Sequence, residues 1–153
     1  MANSTNDVTM ATPDPHDLAR FVAAQETTYA AALQEVTEGR KRSHWMWFVF
    51  PQLQGLGSSS TARFYAIRST AEAKAYLEHP VLGPRLKKIS AALLAIEGKS
   101  ARDIFGSPDD LKLRSSATLF GSVSAPESVF EHVLEKFFDG EPDPETRRML
   151  GAL

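Results

Sequence analysis

Arg40-Lys41-Arg42-Ser43-His44-Trp45-Met46-Trp47-Phe48-Val49-Phe50-Pro51-Gln52-Leu53 admits two readings, and the choice between them sets the fold class. Trp, Phe and Val favour strands in the abstract, so the apolar half could pair in a sheet. A lone strand needs a partner, however, and the other stretches available, Arg63 to Ile67 and Thr118 to Val123, do not alternate cleanly. We therefore read a short helix with Ser43 as N-cap, running to about Phe50 and stopped by Pro51.

Working outward, the flanking segments carry helical spacing. Upstream, Asp17 is the expected N-cap of a helix on which Leu18, Phe21, Val22, Gln25, Tyr29, Ala32, Leu33 and Val36 recur, closed by Gly39. Downstream, Gln54 to Ser60 is a Gly/Ser cluster read as a flexible or tightly turned functional loop. Ser69 with Glu72 fits a capping box, opening a helix up to Pro80. Leu82, Leu86, Ile89, Leu93 and Ile96 form a seam ended by Gly98. A short turn from Ser100 to Gly106 follows, then a helix starting at Pro108, another starting near Pro126 and ending before Gly140, and a weaker one from Pro144 to Leu150. The expectation is an all-α fold, a compact single-domain orthogonal assembly of about six to eight helices spanning residues 17–153. Residues 1–16 are polar and without apolar period, a disordered or mobile tail.

Composition narrows the function classes. Hydrophobic residues make up 42% and charged residues 24% of the 153-residue chain, which fits one globular domain rather than a disordered or membrane protein. The net charge of −2 argues against a dedicated nucleic-acid binder. There is no cysteine, so disulfides, thiolate metal sites and cysteine nucleophiles are excluded. His16, His44, His79 and His132 are scattered without ligand spacing, and neither a metal nor a cofactor is expected. The N-terminal residues lack the apolar core of a signal peptide, and no run approaches the roughly 18 apolar residues of a membrane span, so a cytoplasmic location is expected.

Chemistry concentrates in two places. From Gly39 through Ala71 there is no Asp or Glu, while Arg40, Lys41, Arg42, Arg63 and Arg68 fall inside. With Ser43 as cap, the free N–H groups of the helix start would add to three cations and suit a phosphate or carboxylate, unless the basic run is only a solvated face. His44 and Trp47 lie on one side of such a helix, Trp45 and Val49 on another. Trp47 would then be a stacking surface beside the His44 imidazole; alternatively both indoles belong to the core and His44 is structural. The second place is Lys112, Arg114, Ser115, Ser116 and Thr118, which aim cation and hydroxyls at a groove, or whose hydroxyls bond the carbonyls one turn back. Gln25, inside the first apolar stripe, and Glu26 are the nearest general-base or ring-orienting groups.

The block Gly39 to Leu53 followed by Gly55-Leu56-Gly57 resembles the bacterial family catalogued as domain of unknown function 1810. Tracts similar to Glu72 to Leu86 and to Lys112 to Phe120 occur in the same family, so the resemblance covers about Asp17 to Leu150. Ala117 departs from it, standing where the family often has Met. The resemblance implies a mainly helical fold and supplies no catalytic residue set, so no role passes to His44 or Lys112.

Two functional readings follow. One is a small hydrolase or transferase-like enzyme acting on an anionic, ring-bearing metabolite, a phosphate-bearing small molecule such as a nucleotide or ADP-ribose derivative. In it Arg42, Lys112 and Arg114 bind the anion, Ser115 assists, Trp47 stacks, and His44 moves a proton. The other is a binding module for protein or nucleic acid that uses the same residues without chemistry. Neither reading fixes an oligomeric state.

Overall fold

Asp14, not Asp17, starts the first helix. Its carboxylate accepts the Leu18 and Ala19 N–H groups at 2.8 and 2.9 Å, while Asp17 takes the left-handed φ of 51° and turns the chain into the helix. The structure, a computed structural model, describes residues 13–151, and the tail expected over 1–16 lies, through residue 12, outside the described residues.

The long first helix is two helices, α1 (Ala19–Gln25) and α2 (Tyr29–Thr37). The break falls at Glu26-Thr27-Thr28, where paired β-branched residues weaken helix propagation. It also coincides with Gln25 being drawn inward, donating from Nε2 to the Phe48 carbonyl at 2.7 Å and the Tyr76 hydroxyl at 3.0 Å. Gln25 is thus a buried tie between elements, and Glu26 is exposed.

The Trp block is helical only over α3 (Met46–Val49), and Phe50 before Pro51 leaves the helical region with φ −123° and ψ 73°, away from the α conformation that the proline ring disfavours. Ser43 does not cap it; Trp45 occupies that position. Beyond Pro51 a single parallel bridge joins Leu53 to Ile67, and the described residues contain no strand. The end of the Gly/Ser loop is itself helical, because the Ser59 hydroxyl accepts from the Ala62 N–H at 3.1 Å and opens α4 (Ser60–Phe64).

Ser69 caps α5 (Thr70–Glu78), and His79 ends it with Nδ1 accepting the Val81 and Leu82 N–H groups that begin α6 (Leu82–Leu94). A full capping box of Ser100 and Asp103 opens α7 (Ala101–Phe105). Then come α8 (Asp109–Ser122), α9 (Val129–Phe138), capped by Ser128, and α10 (Pro144–Gly151), capped by Asp143. That makes ten helices among the described residues against the expected six to eight. The excess comes from the split first helix and from short turns counted as loop.

Two helices organise the packing. The α6 seam, Leu82, Leu86, Ile89 and Leu93, is fully buried against α2, α5 and α9. Helix α8 is enclosed from Leu113 to Phe120 except for Arg114, and meets α5, α7, α9 and α10. Aromatic rings link the layers: Phe21 to Tyr76, Tyr76 to Phe120 and Phe120 to Phe130 have centroids 5.1, 5.2 and 5.9 Å apart. Helix α8 buries its hydroxyls by local satisfaction: Ser115 donates to the Leu111 carbonyl at 3.2 Å and Thr118 to that of Arg114 at 2.8 Å.

The α5–α6 corner is the tightest point. A Cβ on Gly83 would lie 2.0 Å from the Leu77 carbonyl oxygen, which belongs to the backbone and cannot swing aside. Gly83→Ala is therefore expected to cost about 1–3 kcal/mol or more, read as a lowered urea midpoint. A midpoint equal to that of the native chain would mean the corner can open freely. No helix among the described residues is long and apolar enough to cross a membrane.

Candidate functional site

The basic lip already has its anion. Glu35 projects from α2, and Gly39, at φ 81°, turns the chain back so that Arg42 to Trp45 pass in front of it. Glu35 Oε1 accepts from the Arg42 N–H (2.8 Å), the Ser43 N–H (3.1 Å) and the Trp45 indole (2.8 Å), while Oε2 accepts from the Ser43 hydroxyl (2.6 Å). Burial alone would push this carboxyl up. The Ser43 hydroxyl, the Arg42 N–H, the indole and the Ser43 N–H outweigh it and hold the pKa at about 2. Sequence reasoning passed Glu35 over, although its place between Ala32 and Val36 on the buried stripe of α2 was the available signal.

Two of the three cations of the lip, Arg42 and Lys41, are engaged as well. Arg42 is exposed and pairs with Glu38, the residue that ends α2 as its C-cap. The Lys41 ammonium lies 5.1 Å from the Trp45 ring centroid and 3.0 Å from Asp109 Oδ2. Trp45 itself is wholly buried, the anchor of the block.

Trp47 has a different environment. It is half-buried, and the Lys112 ammonium lies 5.2 Å from its ring centroid. Both line a cleft of about 440 Å3 together with Ser115. Its other walls are Gln52, Leu56 and the Gly57-Ser58-Ser59 turn on one side, Pro108 and Leu111 on the second, and Asp143 and Glu145 on the third. Three of the expected site residues, Trp47, Lys112 and Ser115, thus converge across a separation of more than sixty residues. Arg42, Arg114 and His44 do not line this cleft. Arg114 turns the other way, donating from Nε to the Glu141 carbonyl at 2.9 Å with its guanidinium 5.8 Å from the Phe138 ring centroid. His44 is exposed and makes no side-chain hydrogen bond among the described residues.

The family model described as "Protein of unknown function (DUF1810)" matches residues 15–150. The chain belongs to the DUF1810 family. Among solved structures it is similar to the conserved hypothetical protein Rv1873 from Mycobacterium tuberculosis, at 49% identity over 90% of this chain and 99% of that one, with a TM-score of 0.89. No curated protein matches it.

On this DUF1810 fold the Trp47 cleft and the basic lip meet at one carboxylate. Asp109, in the first turn of α8, gives Oδ2 to Lys41 and Oδ1 to Lys112 at 3.3 Å, so each ammonium lies between an indole and the same acid. An anion entering the cleft must share Lys112 with Asp109. On the opposite wall Asp143 is spent on the Thr146 N–H and hydroxyl, and Glu145 on Arg148. Ser58 and Ser59 were foreshadowed only by the Gly/Ser character of their loop and Gln52 only by its place at the end of the Trp block; Asp109 and Asp143 carried no signal beyond being helix-start acids. No three His, Asp or Glu side chains gather into a metal-holding group among the described residues.

Proposed function

We propose that this DUF1810 chain binds a small molecule in the Trp47 cleft, with a planar ring against the indole and a phosphate or carboxylate substituent at the Lys112 ammonium. The observation that carries the reading is the Lys112–Trp47 pair, ammonium 5.2 Å from ring centroid, inside a cleft of about 440 Å3. Apolar walls from Leu56, Ala62, Pro108 and Leu111 suit a ring, and Gln52, Ser58 and Ser59 offer its edge donors and acceptors. Binding is preferred to hydrolysis because His44, the group expected to move a proton, lies outside the cleft lining. The reading treats residues 17–153 as one helical domain acting in the cytoplasm.

A thermal-shift panel of nucleoside monophosphates and aromatic carboxylates tests it. A ligand at ten times its Kd should add about 1.4 kcal/mol, a rise in Tm of roughly 3–6 °C for a domain of this size. Trp47→Ala and Lys112→Met should each remove most of that rise. Absence of any ring-bearing anion that shifts Tm, or a shift that survives Trp47→Ala, would end the proposal.

A further inference from the structure

On the other side of Asp109 from the cleft, the chain at Gly39 to Lys41 lies against the α7 segment. The Lys41 N–H donates to the Ile104 carbonyl at 2.7 Å, and Lys99 Nζ donates to the Gly39 carbonyl at 3.0 Å. Between them runs a groove of about 300 Å3 lined by Arg40, Lys41, Lys99 and Arg102, with Asp103 as its one carboxylate. That carboxylate is spent on the capping box, accepting the Ser100 N–H at 2.9 Å. Arg40 and Arg102 are exposed, and neither side chain makes a hydrogen bond or ion pair among the described residues. With Lys41 paired to Asp109, Arg40, Lys99 and Arg102 still surround one committed acid, and in a chain of net charge −2 that is a local excess that surface neutrality does not explain.

We infer that this groove is a second, separate site for a compact phosphate-bearing anion, held by the Arg40 and Arg102 guanidinium groups with Lys99 and Lys41 contributing charge. Guanidinium groups match phosphate oxygens two at a time, which suits a phosphate or pyrophosphate group better than a lone halide. Lys41 makes the site adjustable. Lys41 lines the groove while its ammonium is held by Asp109 at 3.0 Å, so Asp109 acts as an internal anion competing with the ligand for it. The inference does not rest on the cleft reading and survives its failure.

Inorganic pyrophosphate, titrated into the full chain by calorimetry at low ionic strength, is the probe. It should bind, and more weakly as salt rises. The Arg40→Ala/Arg102→Ala pair should weaken it roughly tenfold or more, whereas Trp47→Ala should leave it unchanged. Asp109→Asn, made in a Lys112→Met background so that Lys41 is the cation released, should tighten it roughly two- to fivefold. Amide chemical-shift changes in the native chain should map to residues 39–41 and 99–106, a reading independent of whether any variant folds. Failure of pyrophosphate to bind, shifts centred on the cleft instead, a double variant that binds like the native chain, or weaker binding by Asp109→Asn would each overturn it.

Discussion

Replacing Glu35 by alanine is expected to lower stability by roughly 3–5 kcal/mol, because it leaves a buried cluster of donors without their common acceptor. The Arg42 and Ser43 N–H groups lie near enough to the surface for water to substitute in part. The Trp45 indole does not: the residue is wholly buried, and Glu35 Oε1 is its partner at 2.8 Å. Glu35→Gln should cost less than Glu35→Ala yet still be clearly destabilising, since an amide keeps one acceptor oxygen and turns an NH2 toward donors. The same carboxylate carries a pH signature. Its folded pKa of about 2 lies below the ordinary 4.5, so its contribution is complete above the unfolded value and fades as pH falls from about 4.5 toward 2. Linkage makes that contribution about 3 kcal/mol near neutral pH. Urea unfolding at a series of pH values should show the native chain losing this stability on acidification and Glu35→Ala losing correspondingly less. Parallel decline of the two chains would show that Glu35 is not held in its ionised form.

The fate of the basic lip shows what the sequence could and could not disclose. Helical spacing tells which residues share a face, so Leu82, Leu86, Ile89 and Leu93 were legible as a core seam from their positions alone. Spacing does not tell what stands opposite. Arg40 to Arg42 looked uncompensated within an acid-free window, yet Glu38 lies at the window's edge and Asp109 arrives from α8 to claim Lys41. Ser43 has the right chemistry for an N-cap, but its N–H and hydroxyl are both drawn to the Glu35 carboxylate and the helix begins only at Met46, after Trp45. The convergence of Trp47 with Lys112 depends on how α3 and α8 pack, which no local pattern encodes. Local chemistry singled out the Gly/Ser turn, which lines the Trp47 cleft, but left open whether both indoles are core, and packing alone makes Trp45 wholly buried and Trp47 half-buried.

The second large effect is expected at the buried pair of Arg20 and Glu72. Their side chains are 2% and 1% exposed and meet at 2.6 Å. Glu72→Ala should cost roughly 3–5 kcal/mol, since it strands a buried guanidinium and also removes the acceptor of the Arg68 N–H at 3.1 Å. For a domain of this size that is a fall in Tm of roughly 6–20 °C. The usual remedy, replacing both partners with apolar residues, should fail here. Arg20 also donates to the carbonyls of Phe64 (2.8 Å) and Ala66 (2.9 Å), and to those of His16 and Asp17 (both 2.7 Å). Arg20→Met/Glu72→Leu would remove an ion pair whose net worth is small but take the guanidinium donor from the Phe64, Ala66 and His16 carbonyls, at about 1–3 kcal/mol for each that water cannot reach, while the Asp17 carbonyl keeps the Arg20 N–H. The guanidinium therefore serves mainly as a clamp that ties the start of α1 to the end of α4, and α4 supplies Ala62 to the cleft wall. Hydrogen exchange should accelerate first at residues 60–67 in the double variant, and the ligand binding proposed for the Trp47 cleft should weaken with it. A double variant as stable as the native chain, with unchanged exchange at α4, would mean that Arg20 is an ordinary ion-pair partner and the clamp does not exist.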